Sequence, residues 1–171
     1  MTNDIEQVLI LPATLADWPD IERVYRQGIR TGEATFELES DVPDGVTWFG
    51  GKLPGLVFKG VGENGRFLGW VALSPVSRRR AYAGVAEVSV YVETAVRHQG
   101  IGQQLLTHII TASENANIWT LQASIFPENI ASLRLHLKQG FRIVGIRYKL
   151  AQLHGIWRNV LLLERRSHII Y

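Results

Sequence analysis

The sequence predicts a single α/β domain built around a mixed β-sheet. Strand-like and helix-like segments alternate along its 171 residues, and the strands are joined both by a hairpin and by helices. Hairpins join antiparallel strands and helical crossovers join parallel ones, so both pairings are expected. A composition of 46% hydrophobic and 20% charged residues suits one buried core. We find no repeat or linker in the sequence, so one domain is expected over residues 1–171.

The first elements are a strand and two helices. The apolar run "QVLILPAT" predicts a strand. Thr14 and Asp17 have the spacing of a capping box, which predicts a helix start. Pro43 then favours a second, short helix after a loop-like segment. The apolar positions of the two helices are Trp18, Ile21, Val24, Tyr25 and Gly28 in the first, and Trp48 and Phe49 in the second.

The next two strands flank a glycine-rich segment that matches a dinucleotide fingerprint. Gly60–Gly65 reads "GVGENG" and satisfies G-x-G-x-x-G. That fingerprint needs a helix directly after its glycines, because the pyrophosphate lies at the helix N-terminus. Here the strand-like run "RFLGWVAL" follows, and Asn64-Gly65 is a strong hairpin signal. The segment is therefore predicted to be a hairpin, and the match accidental.

The second half of the chain continues the alternation. "AGVAEVSVYVETA" alternates residue by residue and predicts a longer strand. A helix follows, with the apolar stripe Ile101, Leu105, Ile109 and Ala112. The remaining predicted elements are a strand, a helix and two strands: "WTLQASIF", "PENIASLRLHLKQG", "FRIVGIRYKL" and "WRNVLLLERR".

Composition argues against several classes of function. The formal net charge of +2 is too small to indicate a nucleic-acid partner. Without cysteine the chain has no disulfide, thiolate metal site or cysteine nucleophile. It has no apolar run of membrane-spanning length and no basic leader of a secretory signal. We therefore expect a cytoplasmic protein without a metal and without a membrane or nucleic-acid partner.

A second glycine-containing loop has the setting that the first lacks. A strand ends near Glu93, the loop carries Arg97, Gly100 and Gly102, and an amphipathic helix begins there. Glycines let the backbone approach a bulky anion, and the free N–H groups of a helix start point towards it. Arg97 adds a charge-assisted donor. On the loop alone, a glycine-rich helix start with a surface arginine explains the pattern at least as well.

The wider sequence resembles a known family. Arg97-x-x-Gly100-x-Gly102 resembles the pyrophosphate loop of the GNAT superfamily of N-acetyltransferases, and "ENIASLRLHLKQGF" resembles its second signature. With "AEVSVYV" and "HGIWRNVLLLERR", the chain is similar to the phosphinothricin acetyltransferase branch from about residue 11 to about residue 166. The resemblance implies a GNAT fold with two splayed parallel strands, acetyl-CoA as co-substrate, a small amine substrate and a homodimer.

The resemblance also implies which residues hold the coenzyme. The strand before the loop would pair with the pantetheine arm, and backbone N–H groups of the loop would hold the pyrophosphate. On the next helix, about 100° per residue places Asn129, Ser132 and His136 in one polar arc, beside an apolar arc of Ile130, Leu133 and Leu137. The implied coenzyme residues are Val90, Tyr91, Val92, Arg97, His98, Gln99, Gly100, Ile101, Gly102, Gln103, Asn129 and Ser132.

Two residues are candidates for moving protons. Strand alternation places Glu87 and Ser89 on one face, and glutamate is depleted in strands, so Glu87 either faces solvent or has a function. The resemblance implies that Glu87 is the general base, directly or through one water, with Ser89 in a positioning role. His136 stands where many GNAT enzymes have a tyrosine acid and the phosphinothricin branch has histidine. The resemblance therefore implies that His136 is either the acid that protonates the leaving thiolate or a hydrogen-bonding partner in the site.

The resemblance constrains the substrate least. "SRRRAY" supplies Arg79 and Tyr82 before the catalytic strand, and a guanidinium suits a carboxylate or phosphinate. A solvated basic loop explains each arginine equally well. Phe36 either shapes the pocket or belongs to the core. At the last strand, the branch's G-R-W-x-D is replaced by "GIWRN" in residues 155–159.

Three functions remain open at this point. The first is acetyl-CoA-dependent N-acetylation of a small, amino-acid-like amine. The second is acetylation of a protein N-terminus or lysine, which requires an open peptide groove. The third is a non-catalytic acyl-CoA-binding module, against which the presence of both Glu87 and His136 argues.

Overall fold

The computed structural model describes residues 8–171 and has the predicted α/β fold. Gln7, with which the first predicted strand begins, lies outside the described residues. The strands are β1 (Leu9–Pro12), β2 (Val57–Val61), β3 (Phe67–Pro75), β4 (Val85–Val92), β5 (Thr120–Ile125), β6 (Arg142–Leu153) and β7 (Ile156–Arg166). The helices are α1 (Trp18–Arg30), α2 (Gly45–Gly50), α3 (Ile101–Asn115) and α4 (Ile130–Lys138).

The seven strands form one mixed sheet in the order β1-β2-β3-β4-β5-β7-β6. Within residues 8–171, β4 and β5 are parallel and every other neighbouring pair is antiparallel. The β2–β3 hairpin is confirmed: the N–H of Gly65 donates to the carbonyl of Gly62 at 2.9 Å, and Gly65 supplies the positive φ of +73°. "GVGENG" therefore comprises the end of β2 and the hairpin turn, and strand β3 follows it rather than a helix.

The two predicted N-terminal helices form, with one change at a helix start. The backbone N–H of Thr14 donates to Asp17 Oδ2 at 2.8 Å, as a capping box requires, and α1 follows after one 3₁₀ turn. The side chain of Asp44 accepts from the N–H of Thr47 at 2.8 Å. Asp44 is therefore the N-cap of α2, and the helix begins at Gly45 rather than at Pro43.

Two hydrophobic cores cover the two faces of the sheet. On one face, α3 buries Leu105 and Ile109 completely. On the other, α1 and α2 pack Ile21, Val24 and Trp48 around Trp70 of β3. Helices therefore cover both faces of the central strands. Where the pairing of two central strands ends, the opening lies in the middle of the sheet.

The central pair β4 and β5 separates halfway along its length. The strands pair over three positions, which end at Glu87 opposite Gln122. Beyond this point β4 stays paired with β3 as far as Val92, and β5 stays paired with β7 as far as Ile125. The predicted splay of two neighbouring parallel strands is therefore confirmed, and it opens a gap in the sheet.

Candidate active site

A cleft of about 1190 Å³ opens where β4 and β5 diverge. Its walls come from the loop after α1, the segment around α2, the loop before α3 and the start of α4. Most of the residues expected from the sequence line it. They are Phe36, Glu87, Ser89, Val90, Tyr91, Val92, Arg97, His98, Gly100, Ile101, Gly102, Gln103, Asn129, Ser132 and His136. Gln99, Arg79 and Tyr82 do not line it.

The loop before α3 presents a row of free backbone donors. The N–H groups from His98 to Gln103 have no acceptor within residues 8–171, and the first helical bond runs from Gln104 N–H to Gly100 O at 3.1 Å. His98 and Gly100 have φ angles of +65° and +80°. Consecutive amides at the start of a 15-residue helix form a site for an anion.

The same loop packs closely on its neighbours. A Cβ at Gly102 would lie 3.3 Å from Leu135 Cδ2 and 3.5 Å from Val92 Cγ2, so little space remains there. The Arg97 Nε donates to the carbonyl of Val92 at 3.3 Å. The start of α3 is thereby held against the end of β4, which places the free amides beside the gap.

Beyond Glu87, the edge of β4 that faces the gap has no partner strand among the described residues. The N–H of Glu93 donates to Leu68 O of β3 at 2.9 Å. Backbone groups alternate in direction along a strand, so those of Val88, Val90 and Val92 point away from β3, towards the gap. An extended acyl chain carrying amides could pair with this edge as an extra strand does.

The side chain of Tyr91 belongs to an aromatic wall of the cleft. Its ring stacks on Trp70 with centroids 4.7 Å apart and meets Tyr25 edge-on at 5.1 Å. Burial raises the pKa of Tyr91, and burial raises the pKa of Tyr25 to about 12. Both phenols therefore stay protonated at neutral pH and act as walls, and the backbone groups of Tyr91 face β3 rather than the gap.

Glu87 of β4 lies where the two strands separate, and its carboxylate accepts hydrogen bonds from side chains of β5. Ser124 Oγ of β5 donates to Glu87 Oε2 at 3.2 Å, and Gln122 Nε2 approaches the same oxygen at 3.4 Å. In the register of β3 and β4, Ser74 stands directly opposite Glu87. The carboxylate is thus oriented by two neutral donors, and among the described side chains it has no cationic partner at ion-pair distance.

The polar arc of α4 is also in place. Asn129 caps the helix: its Oδ1 accepts from Ser132 N–H at 3.1 Å, and its Nδ2 donates to Glu33 O at 3.2 Å. Of the adjacent apolar arc, Ile130 and Leu137 are about half exposed. The amide of Asn129 therefore ties α4 to the loop after α1 across the cleft.

His136 is buried, with 4% of its surface exposed. Its Nδ1 donates to the carbonyl of Ser132 at 2.8 Å, and its ring packs edge-on against Phe141. Burial lowers the pKa of His136, although the bond to Ser132 acts in the opposite direction. The neutral ring carries its proton on Nδ1, so Nε2 is an acceptor rather than a donor.

Lys52, in the loop after α2, was missed by the sequence analysis. Its Nζ donates to Ser74 Oγ at 3.1 Å and lies 4.6 Å from the centroid of the Trp48 ring. Burial lowers the pKa of Lys52, and the nearby charge of Glu87 partly offsets this. "GGKLPG" has no periodicity or motif, so nothing in the sequence marked this lysine.

Of the remaining residues expected to bind the substrate, one lines the cleft and two lie outside it. Phe36 lines the cleft and packs edge-on against the buried Phe126, with centroids 4.9 Å apart, so it serves both pocket and core. Arg79 and Tyr82 are exposed on the loop before β4. In "GIWRN", Arg158 donates to Gly32 O at 3.0 Å and lies 4.3 Å from the Phe126 ring centroid, which ties the last strand to the cleft wall.

Comparison with known proteins assigns the fold and the cleft to a family. Residues 11–161 match the acetyltransferase (GNAT) domain family. The chain belongs to the GNAT acetyltransferases. The splayed strands, the loop of free amides and the cleft between them are therefore the parts of an acetyltransferase, and the protein is an enzyme of this class.

Individual relatives of this GNAT enzyme span most of its length. YwnH of Bacillus subtilis (strain 168), named as a phosphinothricin acetyltransferase, is 33% identical over 146 residues, which are 82% of this chain and 90% of YwnH. An L-methionine sulfoximine/L-methionine sulfone acetyltransferase of Pseudomonas aeruginosa is 28% identical over 160 residues, 91% of this chain and 92% of that protein. The enzyme is thus similar to the phosphinothricin acetyltransferases, as its motifs indicate.

A solved structure has the same fold. The phosphinothricin acetyltransferase of Sinorhizobium meliloti in complex with acetyl-CoA superposes with a TM-score of 0.82, at 23% identity, over 96% of this chain and 95% of that one. Within residues 8–171, no helix of this GNAT enzyme has the length and apolarity to cross a membrane. The same residues contain no cluster of three His, Asp or Glu side chains placed to hold a metal ion.

Proposed function

We propose that this GNAT enzyme transfers the acetyl group of acetyl-CoA to the α-amine of a small amino acid of the phosphinothricin, methionine sulfone and methionine sulfoximine type. The observation that carries the proposal is one continuous cleft, which joins the free amides of residues 98–103 to the carboxylate of Glu87. The names of the relatives and the acetyl-CoA bound to the S. meliloti enzyme support it.

The residues of the loop and of β4 suit acetyl-CoA. The free amides of residues 98–103 would hold the pyrophosphate, with Arg97 beside them as a cation. The gap-facing groups of Val88 and Val90 would pair with the amides of the pantetheine arm. Bound in this way, the coenzyme supplies an acetyl thioester at the point where the strands separate, next to Glu87.

Glu87 acts as the general base in this proposal. The substrate amine arrives largely as an ammonium ion and must lose a proton before its nitrogen attacks the thioester carbonyl. Glu87 accepts that proton, directly or through one water, while Ser124 and Gln122 orient its carboxylate. Ser89 lies two residues further along the same strand face and lines the cleft, where it would contact the substrate.

His136 contributes as a hydrogen-bonding partner rather than as the acid. With its proton held by Ser132 O and its pKa lowered by burial, the neutral ring has no proton on Nε2 to give to the departing thiolate. The ring instead orders α4, whose first turn carries Asn129 and Ser132. The thiolate would take its proton from solvent in the open cleft.

The test is a comparison of acceptors with acetyl-CoA as donor, read as release of the coenzyme thiol. We expect turnover with methionine sulfone, methionine sulfoximine or phosphinothricin, and little with a peptide that carries a free N-terminus. Faster turnover of the peptide would favour a protein acetyltransferase. Acetyl-CoA binding without turnover of any amine would favour a binding module. Sedimentation would test the homodimer that the family resemblance implies.

A further inference from the structure

The ammonium of Lys52 is a half-buried cation in the wall of the cleft. Its Nζ donates to the hydroxyl of Ser74 and lies over the Trp48 ring, and all three side chains line the cleft. An ammonium has three donors, and Ser74 takes one of them. In the part of the chain that the structure describes, no carboxylate lies at ion-pair distance from Lys52. A cation held in this setting gains from an anion brought by a ligand.

Lys52 is connected to Glu87, the proposed base, through a residue of the neighbouring strand β3. Ser74, which it contacts, stands opposite Glu87 in the β3–β4 register, and directly opposed residues have Cβ atoms about 5 Å apart on one face. The cleft therefore presents a carboxylate and an ammonium side by side. An α-amino acid carries the complementary pair, an ammonium and a carboxylate on one carbon atom.

We propose that Lys52 binds the α-carboxylate of the substrate while Glu87 takes the α-amine, so that Lys52 selects amino acids over simple amines. This rests on the proposed function. A substrate without the carboxylate would leave the half-buried ammonium uncompensated next to a second cation, so discrimination should be large. Arg79, the arginine that the sequence offered for this role, is exposed outside the cleft.

The test compares methionine sulfone with its decarboxylated amine in the wild type and in Lys52→Met. Methionine has about the length of the lysine stem and removes the charge. A hydrogen bond between charged groups contributes enough to predict about 10- to 100-fold discrimination. We expect Lys52→Met to raise KM for methionine sulfone by about that factor, with kcat less affected and KM for acetyl-CoA unchanged. The preference for the amino acid over the amine should disappear.

Three further variants make the result specific. Lys52→Arg, which keeps a cation, should retain the preference. Arg147→Met removes a positive charge from an exposed position on β6, outside the cleft, and should behave as the wild type. If Lys52→Met keeps the preference, or if Arg79→Met alone abolishes it, the proposal for Lys52 is wrong. An acetyl-CoA-induced rise in melting temperature checks that each variant is folded.

Calorimetric titration of methionine sulfone in the presence of CoA separates this proposal from the proposed function. Binding by the wild type and loss of binding by Lys52→Met would support the role of Lys52 even if the wild type shows no turnover, in which case only the proposed function fails. Equal binding by both proteins, or no binding to the wild type, would overturn the role of Lys52.

Discussion

Ser124 Oγ lies 3.2 Å from Glu87 Oε2 and joins β5 to β4 at the point where these two parallel strands cease to pair. The contact links residues 37 positions apart in sequence. It orients the carboxylate towards the gap, where the thioester would lie. Because both partners are on strands of the sheet, the carboxylate of Glu87 has a rigid support.

Replacing Glu87 by glutamine should remove the base and keep the side-chain shape. We expect turnover to fall by about 10²- to 10⁴-fold, the usual contribution of a positioned base, with acetyl-CoA binding unchanged. Steady-state rates and a thermal-shift titration with acetyl-CoA measure the two effects. The matched control is Glu63→Gln in the exposed β2–β3 turn, which should keep wild-type rates. Full activity of Glu87→Gln would mean that the carboxylate is structural.

A carboxylate at Gly102 should abolish acetyl-CoA binding. In Gly102→Glu the new charge lies among the amides of residues 98–103, where it would occupy or repel the anion site. Gly102→Ala makes the same close contact with Leu135 without the charge and should retain part of the binding. The melting temperature with acetyl-CoA measures both, and NADH and FAD should cause no shift in the wild type. Equal binding by both variants and the wild type would contradict this site.

The unfolding free energy should decrease at acid pH through His136. Burial lowers the pKa of His136 in the folded state, so below the unfolded value of about 6.5 the unfolded chain binds the proton more readily. Stability is thus complete above about pH 6.5 and falls as pH decreases towards the folded pKa, by at most about 1.4 kcal/mol per pH unit from this group. Urea unfolding between pH 5 and 8 measures the slope.

His136→Gln should flatten that slope, because glutamine can still donate to Ser132 O and does not titrate. His108, whose pKa burial also lowers, should keep the rest of the slope in the variant. His168→Gln, at an exposed position, controls for the substitution and should leave the unfolding midpoint at pH 7 unchanged. An identical slope in wild type and His136→Gln would mean that folding does not lower the pKa of His136.

A methyl group at Gly28 of α1 should destabilise the fold. Its Cβ would overlap Cε1 of the Tyr91 ring, which is stacked on Trp70 and has little room to move. Overpacking of this kind costs about 1–3 kcal/mol of unfolding free energy, measured by urea denaturation. Gly50→Ala, in α2 with open space around it, is the matched control and should be neutral or slightly stabilising. Equal stability of the two variants would contradict this packing.

Much of the fold could be predicted because it depends on local chemistry. Alternation along "VAEVSV" correctly placed Glu87 on the cleft face of β4, and the strand after "GVGENG" excluded a dinucleotide loop. The spacing of Arg97, Gly100 and Gly102 before an amphipathic helix indicated the loop whose amides are free. In each case the pattern lies within about ten neighbouring residues, and over that distance the backbone geometry of a strand or helix fixes the direction of each side chain.

The partners of these residues depend on contacts between distant segments. The sequence offered three arginines before β4 as substrate-binding candidates, but the fold leaves Arg79 exposed and brings Lys52 beside Ser74 instead. It also buries the helical His136, which the spacing of α4 could place only on a polar arc.

By itself, therefore, the sequence determined the order of the elements, the loop of free amides and the strand face of Glu87, because hydrogen-bond geometry and side-chain periodicity act between near neighbours. Only the tertiary structure decided that Ser124 contacts Glu87, that Lys52 is held beside Ser74 in the cleft wall and that burial lowers the pKa of His136. Burial and charge pairing arise when segments far apart in the chain pack together, and the desolvation and partners that result are properties of the packed molecule.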